Sequence, residues 1–191
     1  FACNGEGTSP TARRIRVITA PALDGVVGTD LLGQIVLQYV DERGAPRPQV
    51  ELDIRCTSGG RSEYPCLAVG IPTTNAPPTF SYSGQFMTDE RGRLTLLGYF
   101  TTFAGDGWLR ISDVAAGIAD SLPFTSRPGA AVRVQLAPRD TAVRIGATVR
   151  LRGYAYDEWG NARADELNWA VDGPAAELAA ASVVRGLAFG R

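Results

Sequence analysis

The chain has 191 residues, with 19 basic and 20 acidic side chains and a formal net charge of −1. Charges that nearly cancel leave no electrostatic footprint for nucleic acid and no polybasic patch for anionic lipid. Every basic residue is Arg and there is no His, which removes the usual general base, the commonest metal ligand and any Schiff-base lysine together.

Residues 1–12 read as a tether of Gly, Ser, Thr and Pro around Cys3. The sequence starts without Met, which points to a processed precursor. Arg13 to Thr19 is expected as a short strand, and Leu31 to Val40 as a long one whose Ile35, Leu37 and Tyr39 share an inward face by the period of two. Gln49 to Cys56 alternates cleanly, with Val50, Leu52 and Ile54 on one face and Glu51, Asp53 and Arg55 on the other, as in a half-buried strand.

From Thr57 to Gln85 the alternation breaks over a stretch with four prolines, an excursion longer than the loops of compact domains usually are. Order returns at Phe86 and leads through Asp89 to Gly92 into a strand carrying Leu94 and Leu96. Trp108 to Val114 alternates again, and Ile118 to Phe124 is expected as a last edge strand. Residues 13–126 form a first domain, and 127–130 form a Pro- and Gly-containing linker.

A second copy then begins, because Asp41, Glu42 and Gly44 recur as Asp157, Glu158 and Gly160 with matching strands around them. In each copy the pattern reads as a β-hairpin whose Gly takes positive φ and whose Asp caps the turn. Strands are expected near Val132 to Leu136, Ala147 to Tyr156 and Glu166 to Val171. Val149, Leu151 and Ala155 should face inward. Residues 131–191 are short for a complete sandwich, which takes roughly 100 residues. The fold class is therefore all-β, two tandem sandwiches with the second incomplete.

Cys56 and Cys66 stand ten residues apart across a Gly/Ser-rich turn, a spacing that suits a disulfide at the base of a loop; two free thiols are the alternative. Two cysteines without His are too few ligands for Zn²⁺. The start around Cys3 resembles that of a mature bacterial lipoprotein, whose cysteine would be acylated. No apolar run approaches the roughly 18–20 residues that span a bilayer.

The excursion is the expected contact surface, since Tyr64, Pro65, Leu67, Ile71, Phe80, Tyr82 and Phe86 place apolar and aromatic groups on a segment outside the regular strands. The competing reading is that these side chains fold back over the first sandwich. The pairs Asp41/Glu42, Asp89/Glu90 and Asp157/Glu158 sit side by side on turns, not opposed across a cleft as glycoside hydrolysis needs. As hard oxygen donors near a domain junction they suit Ca²⁺, though without the 12-residue loop of a familiar site, and plain turn capping is the competing reading. Trp108, Trp159 and Trp169 could each stack on a sugar ring. Trp169 alternates with Leu167 and Val171 and is expected in the core, while Trp159 lies on a turn and is the tryptophan expected to touch a partner.

TDERGRLTL followed by GDGWLRIS resembles the closing hairpin of bacterial Ig-like domains of the invasin and intimin kind, and VDERGAPRPQVELDI matches the turn between their early strands. YDEWGNARADELNWAV with VVRGLAFG resembles the related bacterial Ig-like group two. The resemblance implies immunoglobulin-like sandwiches in the periplasm or on the outer surface, used for binding and scaffolding, with no catalytic residue or cofactor to transfer. One implied setting is an extrinsic subunit holding together the protein subunits of a membrane complex, as Ig-like subunits do in some bacterial photosynthetic reaction-centre and light-harvesting complexes. The alternative is a cell-surface adhesin or carbohydrate-binding protein.

Overall fold

A computed structural model of the chain describes residues 14–57 and 65–188. The tether, Cys3 and Tyr64 lie outside them. The chain divides into two compact units that meet between Arg127 and Pro128.

The first unit is a sandwich. Strands β1 (Arg14–Thr19), β3 (Ile35–Val40), β5 (Leu67–Gly70) and β7 (Arg93–Phe100) form one sheet in the order β1-β3-β7-β5. Strands β2 (Asp24–Val26), β4 (Glu51–Thr57), β6 (Ser83–Met87), β8 (Gly105–Asp113) and β9 (Ile118–Arg127) form the other, in the order β2-β9-β8-β4-β6. The first strand is split between the sheets: β1 runs antiparallel to β3, and β2 runs parallel to β9. This is the A-B-E-D and G-F-C pairing of an immunoglobulin-like sandwich. Leu37, Leu52, Ile54, Leu96, Leu109 and Ile111 fill the space between the sheets, all fully buried. Each comes from an alternating strand, and burial of such side chains contributes about 1.5–3 kcal/mol apiece.

Three expectations are corrected here. The stretch from Thr57 to Gln85 contains β5 and most of β6. All four residues of β5 are buried, so it reads as an apolar run without alternation. Strand β9 is internal, flanked by β2 and β8, because β2 adds outside it. The first Asp-Glu-x-Gly turn does not close a hairpin between β3 and β4: after a single Val40–Pro46 bridge the chain crosses to the other sheet.

The second unit carries β10 (Arg133–Ala137), β11 (Thr148–Arg150), β12 (Arg152–Tyr156), β13 (Ala162–Arg163), β14 (Ala176–Ala180) and β15 (Val183–Gly186). They pair as β10-β12-β13 and β11-β15-β14. Strands β11 and β12 are one run interrupted at Leu151, so β10, this run, β15 and β14 repeat the order of β1, β3, β7 and β5. Here the turn at Asp157 does close a hairpin, between β12 and β13.

The strand expected over Glu166 to Val171 does not form. Its counterpart β4 is held by ladders to β6 and β8, and no equivalent partner strand exists among the described residues of the second unit. Ala155 faces inward and is buried, whereas Val149 and Leu151 are only half-buried and Val134 and Leu136 remain exposed. Leu167 and Trp169 lie over Gly153 and cover part of that face; Trp169 is half-buried.

A candidate partner-binding edge

The excursion from β4 closes one side of the first unit. Cys56 on β4 is disulfide-bonded to Cys66, just before β5, with Cα atoms 5.7 Å apart. The bridge thus joins the two sheets. Beyond it, Val69 and Ser81 exchange backbone hydrogen bonds of 2.9 Å, and the Cys56 amide donates to the Tyr82 carbonyl at 2.9 Å. The segment 71–80 therefore loops out between two points that are tied down.

These ties sort the residues expected to meet a partner. Leu67 is fully buried in the core and is corrected from contact residue to core residue, because β5 turns its side chain between the sheets. Phe80 is half-buried with its ring centroid 5.7 Å from that of Tyr99, and Phe86 packs half-buried against the core. Pro65 is half-buried beside the disulfide. Among the described residues of the excursion in this set, Ile71 and Tyr82 stand exposed, Tyr82 at 63%. Trp159, in the second unit, is 38% exposed and its ring edge lies against Gly129.

Tyr82 immediately precedes β6, the terminal strand of its sheet, and Ile71 shares a groove with Met87 at the end of that strand. The Cys56–Tyr82 and Thr88–Val50 bonds fix the alternation, so that even-numbered residues of β6 bond to β4 and the amides of Ser83, Gln85 and Met87 point away. Ser81 serves the first of these: its hydroxyl oxygen accepts the Ser83 amide at 3.4 Å and its proton is donated to the Ser83 carbonyl at 2.6 Å. Met87, which sequence reasoning passed over, is 50% exposed beyond them. A groove of about 590 Å³ runs beside this edge, with Ile71, Pro72, Met87 and Leu94 among its lining.

Edge strands present unpaired backbone groups, and proteins blunt them with charge, proline, shortness or cover. Here β1 carries Arg14 and Arg16, β2 is three residues long and carries Asp24, and β5 is bridged by Ser81. Strand β6, Ser-Gly-Gln-Phe-Met, has neither charge nor proline.

The three Asp-Glu-x-Gly turns are built identically. Asp41 Oδ1 accepts the amides of Arg43 and Ala45, Asp89 Oδ1 those of Arg91 and Arg93, and Asp157 Oδ1 those of Trp159 and Asn161. Gly44, Gly92 and Gly160 take φ of 81°, 67° and 88°. Hydrogen bonds from the Ala45 amide hold Asp41 below the usual carboxylate range, and those from Arg93 do the same for Asp89. Two donors on one oxygen leave that oxygen engaged in the turn, so turn capping accounts for these carboxylates. No cluster of three metal-ligating side chains occurs among the described residues. No helix among them is long and apolar enough to cross a membrane.

Trp108 is the most exposed of the three tryptophans, at 49%, and projects from the outer face of the five-stranded sheet. Its alternation with buried Leu109 and Ile111 is the signal that places it there.

No family model matches the chain, and no curated protein matches it. Among solved structures it is similar to FdeC, described as a broadly conserved Escherichia coli adhesin eliciting protection against urinary tract infections, at 15% identity and a TM-score of 0.42. The match covers 80% of this chain and 42% of that one, so the chain spans less than half of that structure's length.

Proposed function

We propose that the chain is a non-enzymatic, extracytoplasmic binding and scaffolding module that takes up an extended segment of a partner protein as an added strand beside β6. The observation that carries this reading is the uncharged, proline-free edge of β6, set between exposed Tyr82 and Met87 and a groove containing Ile71. The disulfide between the sheets fits an oxidising compartment, the periplasm or the cell surface. The partner we favour is a protein subunit of a membrane-associated assembly, with membrane attachment through that assembly or through a lipid on Cys3.

The test is recovery of the native protein from membranes with whatever co-purifies, beside variants Met87→Lys and Gln85→Pro. Met87→Lys puts a charge on the edge, and Gln85→Pro removes an amide that does not bond to β4. Loss of the co-purifying subunit at unchanged melting temperature is expected. Retention in both variants overturns strand addition at β6.

A cell-surface adhesin or carbohydrate-binding role is the second reading. The exposure of Trp108 on a regular strand favours it.

A further inference from the structure

The outer face of the five-stranded sheet is ordered by its register. Thr57, Trp108 and Pro123 lie opposite one another in one row, Arg55, Arg110 and Ser121 in the next, and Asp53, Ser112 and Ala119 in the third. Two features of this face stand apart from an ordinary solvated sheet surface.

The first is the setting of the indole. Trp108 lies between Thr57, whose hydroxyl donates to the Trp108 carbonyl at 3.3 Å, and Pro123. Neighbouring β9 presents Thr125, Pro123, Ser121 and Ala119 beside this row, and Asp106, two residues before Trp108, is engaged by the Thr125 hydroxyl at 2.7 Å. Beside these short neighbours the indole stands 49% exposed.

The second is the charge arrangement. Arg55 and Arg110 are directly opposite each other on adjacent strands, a like-charge pairing that disfavours the sheet. Asp53 relieves Arg55, with Arg55 Nε to Asp53 Oδ2 at 2.7 Å. The Arg110 side chain is exposed and makes no hydrogen bond or ion pair among the described residues. It projects from the same face as Trp108, two residues on, at about 7 Å along the strand.

We infer that Trp108 and Arg110 form a binding site for an acidic saccharide, a chain of uronic-acid type. The apolar face of a pyranose ring lies on the indole, and a carboxylate on that ring or the next reaches the guanidinium, which matches it with two parallel hydrogen bonds. One unneutralised cation suits a singly charged carboxylate. Nucleic acid is disfavoured, since its affinity comes from many cations along the phosphate backbone and this face also carries Asp53 and Glu51. The hydroxyls of Ser112 and Ser121 border the same rows and can bond to sugar hydroxyls.

The inference gives a chemical class to the second reading and rests on it, while strand addition at β6 is tested by Met87→Lys, so the two fail separately. The experiment is calorimetric and NMR titration of the intact chain with α-1,4-linked trigalacturonate, with neutral maltotriose and triglutamate as comparison ligands. Trigalacturonate alone is expected to bind, more weakly as salt is raised. Affinity should fall at least ten-fold in Trp108→Ala and in Arg110→Gln at unchanged melting temperature, while Trp159→Phe leaves it unaltered. Arg110→Gln alone carries the test if Trp108→Ala does not fold. Absence of trigalacturonate binding overturns the inference, as does binding that survives Arg110→Gln, or equal binding of maltotriose or triglutamate.

Discussion

The carboxylate of Asp157 accepts the amide of Gly129 at 2.9 Å, across 28 residues of sequence. The same side chain takes the amides of Trp159 and Asn161 and the side-chain amide of Asn161, so four donors converge on one buried group. Arg163 closes the arrangement by donating to the Gly129 carbonyl. The Pro128–Gly129 segment, expected from its composition to be a linker, is in this way tied to the hairpin of the second unit.

Replacing Asp157 with Ala leaves three backbone donors short of an acceptor, at about 1–3 kcal/mol for each buried one left unmade. The second unit buries few side chains beyond Ala155, so little else offsets the loss. Asp157→Ala is expected to abolish amide protection in β12 and β13 in hydrogen exchange while leaving β4 and β8 protected. Asn keeps an oxygen acceptor and should be milder.

The turn aspartates also fix the acid limit. Asp41 and Asp89 are held low mainly by the Ala45 and Arg93 amides; for Asp157 burial pushes upward, but the bonds from Asn161, Gly129 and Trp159 outweigh it. A carboxylate depressed in the folded state binds its proton less readily there than in the unfolded chain. Its stabilisation is therefore present above the unfolded value of about 3.9 and is lost as pH falls through the folded one. Urea midpoints are expected to be flat from neutrality to about pH 5 and to fall steeply below about pH 4. A midpoint that rises on acidification would contradict the assignment.

These turns were legible in the sequence because the cap shared by all three lies within five consecutive residues, with Gly supplying positive φ and Asp the acceptor, whereas the bond from Gly129 to Asp157 was not. Strands β3, β4 and β8 were legible because half-burial imprints alternation. Strand β5 left no such imprint, being buried on both faces, and β14 and β15 are too short and Ala- or Val-rich to show one. Glu166 to Val171 alternates without being a strand, since alternation records faces and not ladder partners. The aromatic content of the excursion marked the correct stretch. It could not separate Leu67, Phe80 and Phe86, which turn inward, from Ile71 and Tyr82, because the sorting depends on the bridge from Ser81 to Val69.

That bridge stands beside the disulfide, which closes a loop of ten residues between the sheets. A loop of this size contributes about 2–3 kcal/mol through the unfolded chain in the entropic account. Reduction, or Cys66→Ser, is expected to lower the melting temperature of the first unit by several degrees and to leave the second unit unchanged. Differential scanning calorimetry with and without reductant reads both.

At the far end of the same core, Tyr39 on β3 donates its hydroxyl to Asp113 Oδ2 at 2.7 Å, joining one sheet to the other. Asp113 Oδ1 meanwhile accepts the Ala116 amide at 3.0 Å, which shapes the turn from β8 to β9. Both side chains are buried, so the bond forms away from water and its loss leaves a buried charge short of a donor. Tyr39→Phe is expected to cost about 1.5–3 kcal/mol, the range for hydrogen bonds to charged groups. Asp113→Ala should cost at least as much, because it removes the turn cap as well. Since each substitution breaks the same bond, Tyr39→Phe made in the Asp113→Ala background should cost much less than it does alone. Urea denaturation of the four proteins measures this directly, and strict additivity would show that the hydroxyl and the carboxylate do not stabilise one another.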